Sequence, residues 1–374
     1  MRKGGEIEKV ELNQIDPFKT LYIGVDVHRF EHTAYASNRF EDELGYFNFA
    51  NNQREINQFI NWTRQLSRHK GQYRILIGLE DSAGNGALIT NCLLGNDTTN
   101  GDKTIVMGVN PVLTKTRRYR QTIPEKSDKV DAKMITTELI RNYKKLPVLT
   151  SKHFTPERQE LKDVVLNYSN LVDERTRLKN RLHRNFNRLE PEYKDKGKNT
   201  FSQKNLKWWL ERVSKEETYL KIIVKDHIER IQNLKVIIKG SKQKMAEILD
   251  TVQTPLLAMP GIEVVTAAKI HAEVGDINRF KKQASFRRYA ATAPIKHQSA
   301  GKGKGKPNKR GNRKLNCAIH HVALTHCWSV PESKAYYEKK ISEGKSKKQA
   351  LRCLKNRLAD IIYGVLKSGQ PYQG

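Results

Sequence analysis

The 374-residue sequence contains only four cysteines and has no long apolar run. Four scattered cysteines do not make a disulfide framework, which favours a reducing, cytoplasmic environment. No stretch approaches the ~20 apolar residues that a membrane-spanning helix needs, and the N-terminus lacks the apolar core of a secretory signal. We therefore expect neither a membrane protein nor a secreted one. Hydrophobic residues still make up 37% of the chain, enough to build packed cores.

Acidic residues are also scarce relative to basic ones. The chain has 69 Lys and Arg against 40 Asp and Glu, a formal net charge of +29. Such an excess attracts polyphosphates, and no basic helix carries the aromatic and apolar face of a membrane-surface helix, so nucleic acid is the favoured partner. Two basic segments supply the candidate contacts, which are Arg117, Arg118, Arg120, Lys302, Lys304, Lys306, Lys309, Arg310, Arg313 and Lys314.

The pattern of the chain predicts four parts: an N-terminal extension (1–20), an α/β domain (21–150), a helical segment (151–252) and a mostly helical C-terminal domain (253–374). In the α/β domain, buried strand patterns and helical periodicities follow each other in the order βββαβαβα. This order is typical of ribonuclease-H-like folds, although a fold alone does not give a function.

The helical segment contains two long runs of apolar residues at alternating three- and four-residue spacing. This spacing predicts two long helices that form either an antiparallel hairpin within the chain or an intermolecular coiled coil. Arg175 and Asn185 interrupt the first apolar seam. We favour an element that joins two copies of the chain over a spacer that packs only on its own chain.

Four carboxylates are predicted to meet at one end of the sheet. Asp26 ends the first strand and Glu80 ends the fourth, and these strands are neighbours in a ribonuclease-H-like sheet. Asp128 and Asp131 are three residues apart, so they share one face near the start of a helix. Because close carboxylates repel each other, the site calls for two Mg²⁺ ions ~4 Å apart. The alternative is that Asp26 is an ordinary strand-end residue and Asp128 a helix N-cap.

The C-terminal domain contains two further candidate sites. The segment Met259-Pro-Gly-Ile262 before a helix resembles a helix-hairpin-helix turn, whose free backbone N–H groups bind phosphate. Ser299 lies in a Gly- and Lys-rich loop where a hydroxyl can meet a phosphodiester. A serine nucleophile needs a base or a metal to activate it, and from the pattern alone an ordinary loop serine is the simpler interpretation.

A run of cysteines and histidines later in this domain raises the question of zinc. The residues are Cys317, His320, His321, His326 and Cys327. One straight helix cannot close a tetrahedral site around a metal ion. We therefore predict no zinc here.

These segments together resemble the DEDD-type insertion-sequence transposases, the bridge-RNA-guided recombinases of bacterial and archaeal mobile elements. The resemblance runs from Leu21 to Tyr372 and depends on short motifs in a specific joint order. The motifs are Tyr22-Ile-Gly-Val-Asp26; Glu80 with Ser82-Ala-Gly84; Ser127-Asp-Lys-Val-Asp-Ala132; Pro260-Gly-Ile262; Thr266-Ala-Ala268; Tyr289-Ala290; Ser299; Lys309-Arg-Gly-Asn-Arg313; and Ile362-Tyr-Gly-Val-Leu-Lys-Ser-Gly369.

The resemblance implies a RuvC-like domain in which Asp26, Glu80, Asp128 and Asp131 bind Mg²⁺. It also implies a C-terminal transposase domain in which Ser299 attacks DNA and forms a transient phosphoserine link. A structured non-coding guide RNA would pair with donor and target DNA. The active site would be shared between subunits of a homo-oligomer, a dimer or a tetramer, with the helical segment as the assembly element.

We therefore predict a DNA transposase that cuts and rejoins DNA with carboxylate-bound metal and a serine nucleophile. One alternative is a metal-dependent junction nuclease in which water attacks and Ser299 only contacts phosphate. Another is a non-catalytic nucleic-acid-binding protein, against which the four intact carboxylates argue.

Overall fold

The structure is a computed structural model of the whole chain. It describes residues 12–71, 74–80, 85–95, 104–118, 127–150, 155–193, 199–214, 218–295, 308 and 311–372. These residues form two compact units, one reaching to Thr155 and including Asp276–Lys281, the other containing Pro156–Gly275 and Lys282 onward. The predicted division into four parts stays a prediction.

The first unit is built on a five-stranded mixed sheet. The strands are β1 (Thr20–Asp26), β2 (Glu31–Ser37), β3 (Glu43–Ala50), β4 (Arg74–Glu80) and β5 (Thr104–Gly108). Their order is β3-β2-β1-β4-β5. Strand β1 is antiparallel to β2 and parallel to β4, β3 is antiparallel to β2, and β5 is parallel to β4. The predicted five-stranded α/β arrangement is confirmed, and it is compatible with a ribonuclease-H-like domain.

Strand β1 is the central strand of the sheet, and all seven of its residues are buried. A continuous apolar run is what a strand covered on both faces requires. Helix α1 (Gln53–His69) covers one face, and its N-terminus is capped by the side chain of Asn52. Phe49 of β3 stacks on Phe59 of α1 with ring centroids 4.5 Å apart.

Three more helices complete the first unit: α2 (Ala87–Gly95), α3 (Pro111–Arg118) and α4 (Asp128–Asn142). Helix α4 begins after Ser127, whose hydroxyl accepts the backbone N–H of Val130 (3.2 Å). This cap fixes the first turn of α4, where both Asp128 and Asp131 lie.

The second unit begins with two helices of 34 residues each, α5 (Pro156–Leu189) and α7 (Tyr219–Val252), with α6 (Gln203–Val213) between them. Glu160 near the start of α5 pairs with Lys244 near the end of α7 (2.8 Å), so the two long helices run antiparallel within one chain. Their shared core is closed by α6, where Trp209 stacks on Phe186 at 4.0 Å between ring centroids.

The remaining described residues of the second unit are also mostly helical. A short 3₁₀ helix (Pro255–Ala258) leads through the Pro260–Gly261 turn into α8 (Val264–Val274), which is followed by α9 (Gln283–Tyr289), α10 (Arg313–Ser329), α11 (Pro331–Ser342) and α12 (Lys347–Ser368). Helix α12 begins with a capping box between Ser346 and Gln349. Within the described residues, every helix is too short or too polar to cross a membrane.

Candidate active site

The candidate site begins at the carboxyl end of β1. Asp26 is the last residue of this strand and only 8% of its surface is exposed. It lies in register with Thr33 on one side and with Glu80 on the other. Burying a charged carboxylate without a partner is energetically unfavourable. The groups around Asp26 therefore show how its charge is compensated.

Two side chains approach the Asp26 carboxylate. His28 Nε2 lies 3.0 Å from Asp26 Oδ2 and 3.7 Å from Asp128 Oδ1. One ligand atom from each of these three residues lies within 4.8 Å of the other two. The first turn of α4 therefore brings Asp128 across the end of β1, and His28 lies between the two carboxylates.

The electrostatics of Asp26 follow from this crowding. Burial raises the pKa of the Asp26 carboxyl above its usual value of 3.8, and the nearby carboxylates of Asp131 and Asp128 raise it further. His28 acts in the opposite direction through its charge and its hydrogen bond. The negative charges at this point are not fully compensated by the protein, which is the condition that a bound cation relieves.

Glu80 has a different partner. The hydroxyl of Thr114 on α3 donates to Glu80 Oε2 (2.5 Å) and lies 2.9 Å from the carbonyl oxygen of Pro111. This contact fixes one oxygen of Glu80 at the end of β4, the strand next to Asp26. The structure thus groups Asp26, His28 and Asp128 closely, places Asp131 near enough to act on Asp26, and puts Glu80 at the adjacent strand end.

His28 is not among the residues that the sequence predicts for this site. It lies outside β1, in the turn before β2, where apolar periodicity gives no information. The available signal is its position two residues after a strand-end aspartate, since residues i and i+2 of an extended chain point to the same side.

The donor set fits a divalent cation. Carboxylate oxygens are the ligands that Mg²⁺ and Mn²⁺ prefer, and an imidazole nitrogen suits Mn²⁺ better than Mg²⁺. Asp26 is buried, crowded by carboxylates and aimed at a histidine whose ring nitrogen is within reach of both aspartates. Asp26, His28 and Asp128 are the residues that could hold the ion directly, with Asp131 and Glu80 close by.

Most predicted nucleic-acid contacts lie outside the described part of the chain. The described residues do not include Ser299, Arg120, Lys302, Lys304, Lys306, Lys309 and Arg310, nor the side chains of Arg117 and Arg118. Arg313 and Lys314 are exposed in the first turn of α10. Lys314 Nζ lies 3.9 Å from Glu273 Oε1, so this lysine already has an acidic neighbour.

The zinc interpretation finds no support at His326. Its ring is buried, with Nε2 2.6 Å from the carbonyl oxygen of Pro260 and Nδ1 2.9 Å from the hydroxyl of Ser333. Both ring nitrogens are therefore used in hydrogen bonds within the second unit.

Comparison with protein families gives two matches that follow each other along the chain. Residues 23–191 match the DEDD-type model of the IS110 group, described as a transposase. Residues 253–338 match the family described as "Transposase IS116/IS110/IS902 family". The first range contains the four predicted carboxylates, and the second contains Ser299.

Similar proteins include an insertion element IS110 uncharacterized 43.6 kDa protein of Streptomyces coelicolor, 33% identical over 119 residues (32% of this chain, 29% of the relative). An insertion element IS900 uncharacterized 42 kDa protein of Mycobacterium paratuberculosis is 30% identical over 31% of this chain and 30% of the relative. A transposase for insertion sequence element IS1111A of Coxiella burnetii is 28% identical over 31% of this chain and 33% of the relative. The chain thus matches about a third or less of the length of these relatives.

Proposed function

The chain belongs to the DEDD-type insertion-sequence transposases, and we propose on this basis that it is a DNA transposase that cuts and rejoins DNA strands. The observation that carries the proposal is the close grouping of Asp26, His28 and Asp128 at the end of β1. Clustered ionisable groups around a buried carboxylate with a perturbed pKa are typical of active sites, which favours an enzyme over a binding protein without catalysis.

The carboxylate site would hold Mg²⁺. Asp26, His28 and Asp128 would bind the cation, Asp131 and Glu80 would complete the acidic environment, and Thr114 would orient Glu80. A bound divalent cation polarises a phosphodiester and eases deprotonation of an attacking hydroxyl. The burial of Asp26 excludes water from one side of the site, which strengthens its interaction with a cation.

Ser299 would be the nucleophile, as the resemblance implies. Its Oγ attacks the phosphorus and loses its proton, a serine–phosphate ester forms, and the bond to the departing deoxyribose oxygen breaks as that oxygen takes up a proton. Attack by the hydroxyl of another strand reverses these steps and releases Ser299. The phosphodiester energy is conserved in the covalent intermediate, so the reaction needs no nucleotide hydrolysis.

The remaining family features belong to the same proposal. The first unit would be a RuvC-like domain, the α5–α7 pair a coiled-coil assembly element in a homo-oligomer, and the Pro260–Gly261 turn a helix-hairpin-helix-like contact to DNA. The net charge of +29 supports binding of both DNA and a structured guide RNA. Base pairing by the RNA would supply sequence choice, and the protein would bind backbone and shape.

The test is a search for a denaturation-resistant protein–DNA adduct. The full chain is incubated with Mg²⁺, the RNA encoded beside its gene and matching donor and target DNA. We expect an adduct with the wild type and none with Ser299→Ala or Asp26→Asn. Cleavage that needs Asp26 but survives Ser299→Ala without an adduct would instead identify a junction nuclease in which water attacks.

A further inference from the structure

A lysine in the second unit is buried, and no carboxylate in the described part of the chain pairs with it. Lys355 lies in the middle of α12 with only 9% of its surface exposed. Its Nζ donates to Asn316 Oδ1 on α10 (2.7 Å), and among the described residues no carboxylate forms an ion pair with it. An ammonium group has three donors, so this amide leaves two of them for another acceptor.

The neighbouring charges make it still less favourable for Lys355 to be buried in its charged form. Burial lowers its pKa, the Cys317 thiol acts in the opposite direction, and the guanidinium of Arg352, one turn earlier on α12, lowers it further. Lys355 in turn lowers the pKa of His320 on α10, after burial as the larger cause. Arg352 and His320 therefore both interact electrostatically with Lys355, and none of the described groups that act on the pKa of Lys355 is a carboxylate.

Two hydrogen bonds of Asn316 connect Lys355 to Ala290, a residue nine positions before Ser299 in the sequence. Asn316, the partner of Lys355, donates through Nδ2 to the carbonyl oxygen of Ala290 (2.9 Å). The backbone N–H of Asn312, one turn before Asn316 on α10, donates to the carbonyl oxygen of Tyr289 (2.6 Å). Thr292 donates through its backbone N–H and its hydroxyl to the carbonyl oxygen of Arg287, and Asn308 Nδ2 donates to the carbonyl oxygen of Arg288 (3.0 Å). Described residues on both sides of Ser299 in the sequence are therefore hydrogen-bonded to the last turn of α9.

We propose that Lys355, flanked by Arg352 and His320, is the centre of a binding site for a phosphodiester group of the DNA strand on which Ser299 acts. The inference rests on the proposed function, because only that function brings a DNA strand to Ser299. A phosphate would supply the missing negative charge, and its oxygens would accept the two remaining Nζ donors. Asn316 would hold the ammonium toward this phosphate and tie it to the backbone at Ala290.

The rival explanation is a structural lysine that only supports Asn316. Two substitutions separate the explanations. Lys355→Gln keeps a donor for Asn316 Oδ1 but removes the charge, whereas Lys355→Met removes both. If the role of Lys355 is structural, DNA affinity should fall in Lys355→Met and stay close to that of the wild type in Lys355→Gln. A phosphate-binding role predicts that both variants lose DNA affinity to a similar extent.

The first measurement is the affinity of the full chain for a single-stranded DNA oligonucleotide over a series of salt concentrations, with a chelator present so that no strand is cut. We expect Lys355→Gln to weaken binding about tenfold at low salt and to reduce the slope of log K against log salt by roughly 0.7. Lys348→Gln, an exposed lysine two turns earlier on α12, is the matched control and should bind as the wild type does. Equal affinities for Lys355→Gln and the wild type overturn the inference.

The second measurement needs no variant, so it stands even where a substitution impairs folding. Wild-type protein is labelled with an amine-selective reagent, with and without the oligonucleotide, and Lys355 is compared with Lys348 by mass spectrometry. Protection of Lys355 by DNA supports the site, whereas unchanged labelling, or protection by RNA alone, overturns it. If no protein–DNA adduct forms but DNA still protects Lys355 from labelling, the proposed reaction is refuted while Lys355 is still supported as a binding site for a DNA phosphate.

Discussion

The backbone N–H of Gly24 on β1 donates a hydrogen bond to the hydroxyl of Thr136 on α4 (2.9 Å), so strand and helix meet without a strand side chain between them. The same hydroxyl lies 2.9 Å from the carbonyl oxygen of Tyr35 on β2. Thr136 therefore joins helix α4 to both β1 and β2 by hydrogen bonds, about two helical turns from Asp128. This close approach is what brings the first turn of α4 over the end of β1 and Asp128 toward Asp26.

Replacing Gly24 by alanine should separate this helix from the sheet. A Cβ at position 24 would come 2.5 Å from the carbonyl oxygen of Ala132 and from the backbone nitrogen of Thr136. Backbone atoms cannot yield as a side chain does, so we expect Gly24→Ala to cost about 1–3 kcal/mol of unfolding free energy and to weaken divalent-cation binding.

The control for this change is Gly95→Ala at the end of α2, where a Cβ meets nothing within 4 Å. Urea unfolding of the two variants beside the wild type measures the difference. Equal stability of Gly24→Ala and Gly95→Ala would show that α4 does not depend on the contact with Gly24.

Asp26→Asn should change metal affinity and metal-free stability in opposite directions. The substitution removes a ligand, so we expect Mn²⁺ or Mg²⁺ binding to weaken at least ~10-fold. It also removes a buried negative charge at a site where burial raises the pKa of the carboxyl, so the free energy of unfolding of the metal-free protein should increase at neutral pH. Calorimetric titration with each ion and thermal unfolding in chelator measure the two effects. The exposed Asp42→Asn should change neither, and a metal-free loss of stability in Asp26→Asn would contradict the assignment.

His28 should influence which ion is preferred. Its Nε2 is the only described nitrogen in the group with Asp26 and Asp128, and imidazole binds Mn²⁺ better than Mg²⁺. We expect His28→Gln to weaken Mn²⁺ binding more than Mg²⁺ binding, narrowing the ratio of the two dissociation constants. Competition titrations on the wild type and the variant measure this ratio. An unchanged ratio would show that His28 only orients Asp26.

The sequence is sufficient to predict the sheet and the position of its acidic residues. The apolar run of β1 is long and bounded by polar residues, and Ser127 marks the start of α4 one residue before it begins. Strand order determines which strand ends are neighbours. The βββαβαβα pattern alone therefore predicts that the ends carrying Asp26 and Glu80 lie side by side, as they do in the sheet.

Three helices of the structure, α3, α6 and α11, are not evident from apolar periodicity, for local reasons. Asn110-Pro111 is typical of the end of a strand, but Pro111 is the first residue of α3, and α11 likewise begins with Pro331. Proline is favoured at the first helical position because its missing N–H has no partner there in any case. The sequence of helix α6 looks like that of a linker between two longer helices. Its apolar residues Leu206 and Trp209 become buried only because they pack against α5 and α7.

His271 should make the second unit less stable in acid. Burial and, to a smaller extent, the charge of Arg158 together lower the pKa of His271 from 6.5 to about 4. Between these two values the unfolded chain binds a proton that the folded chain does not, so stability is present above pH 6.5 and is lost as the pH falls toward 4. We expect a loss of about 1–3 kcal/mol over this range from His271.

The test compares the pH dependence of unfolding in the wild type and in His271→Gln, which can still bond Thr254, the partner of His271 Nε2 at 2.6 Å. The variant should lose less stability between pH 6.5 and 4. His227, His320 and His326 also have lowered pKa values, so part of the wild-type slope should remain. The exposed His69→Gln serves as the control, and identical slopes for His271→Gln and the wild type would contradict the prediction.

His326 should stabilise the turn at Pro260 and Gly261. Because burial lowers its pKa, the ring is neutral near pH 7, with one N–H for the Pro260 carbonyl and one acceptor for the Ser333 hydroxyl. His326→Leu leaves both partners unsatisfied, and Gly261, which has a φ of 73°, loses the ring beside it. We expect the free energy of unfolding in urea to fall by about 1–3 kcal/mol, against less than ~0.5 kcal/mol for the exposed His321→Leu on the same helix.

If the turn contacts DNA, His326→Leu should also lower DNA affinity at temperatures where the protein is fully folded, whereas an unchanged affinity would limit the role of His326 to folding.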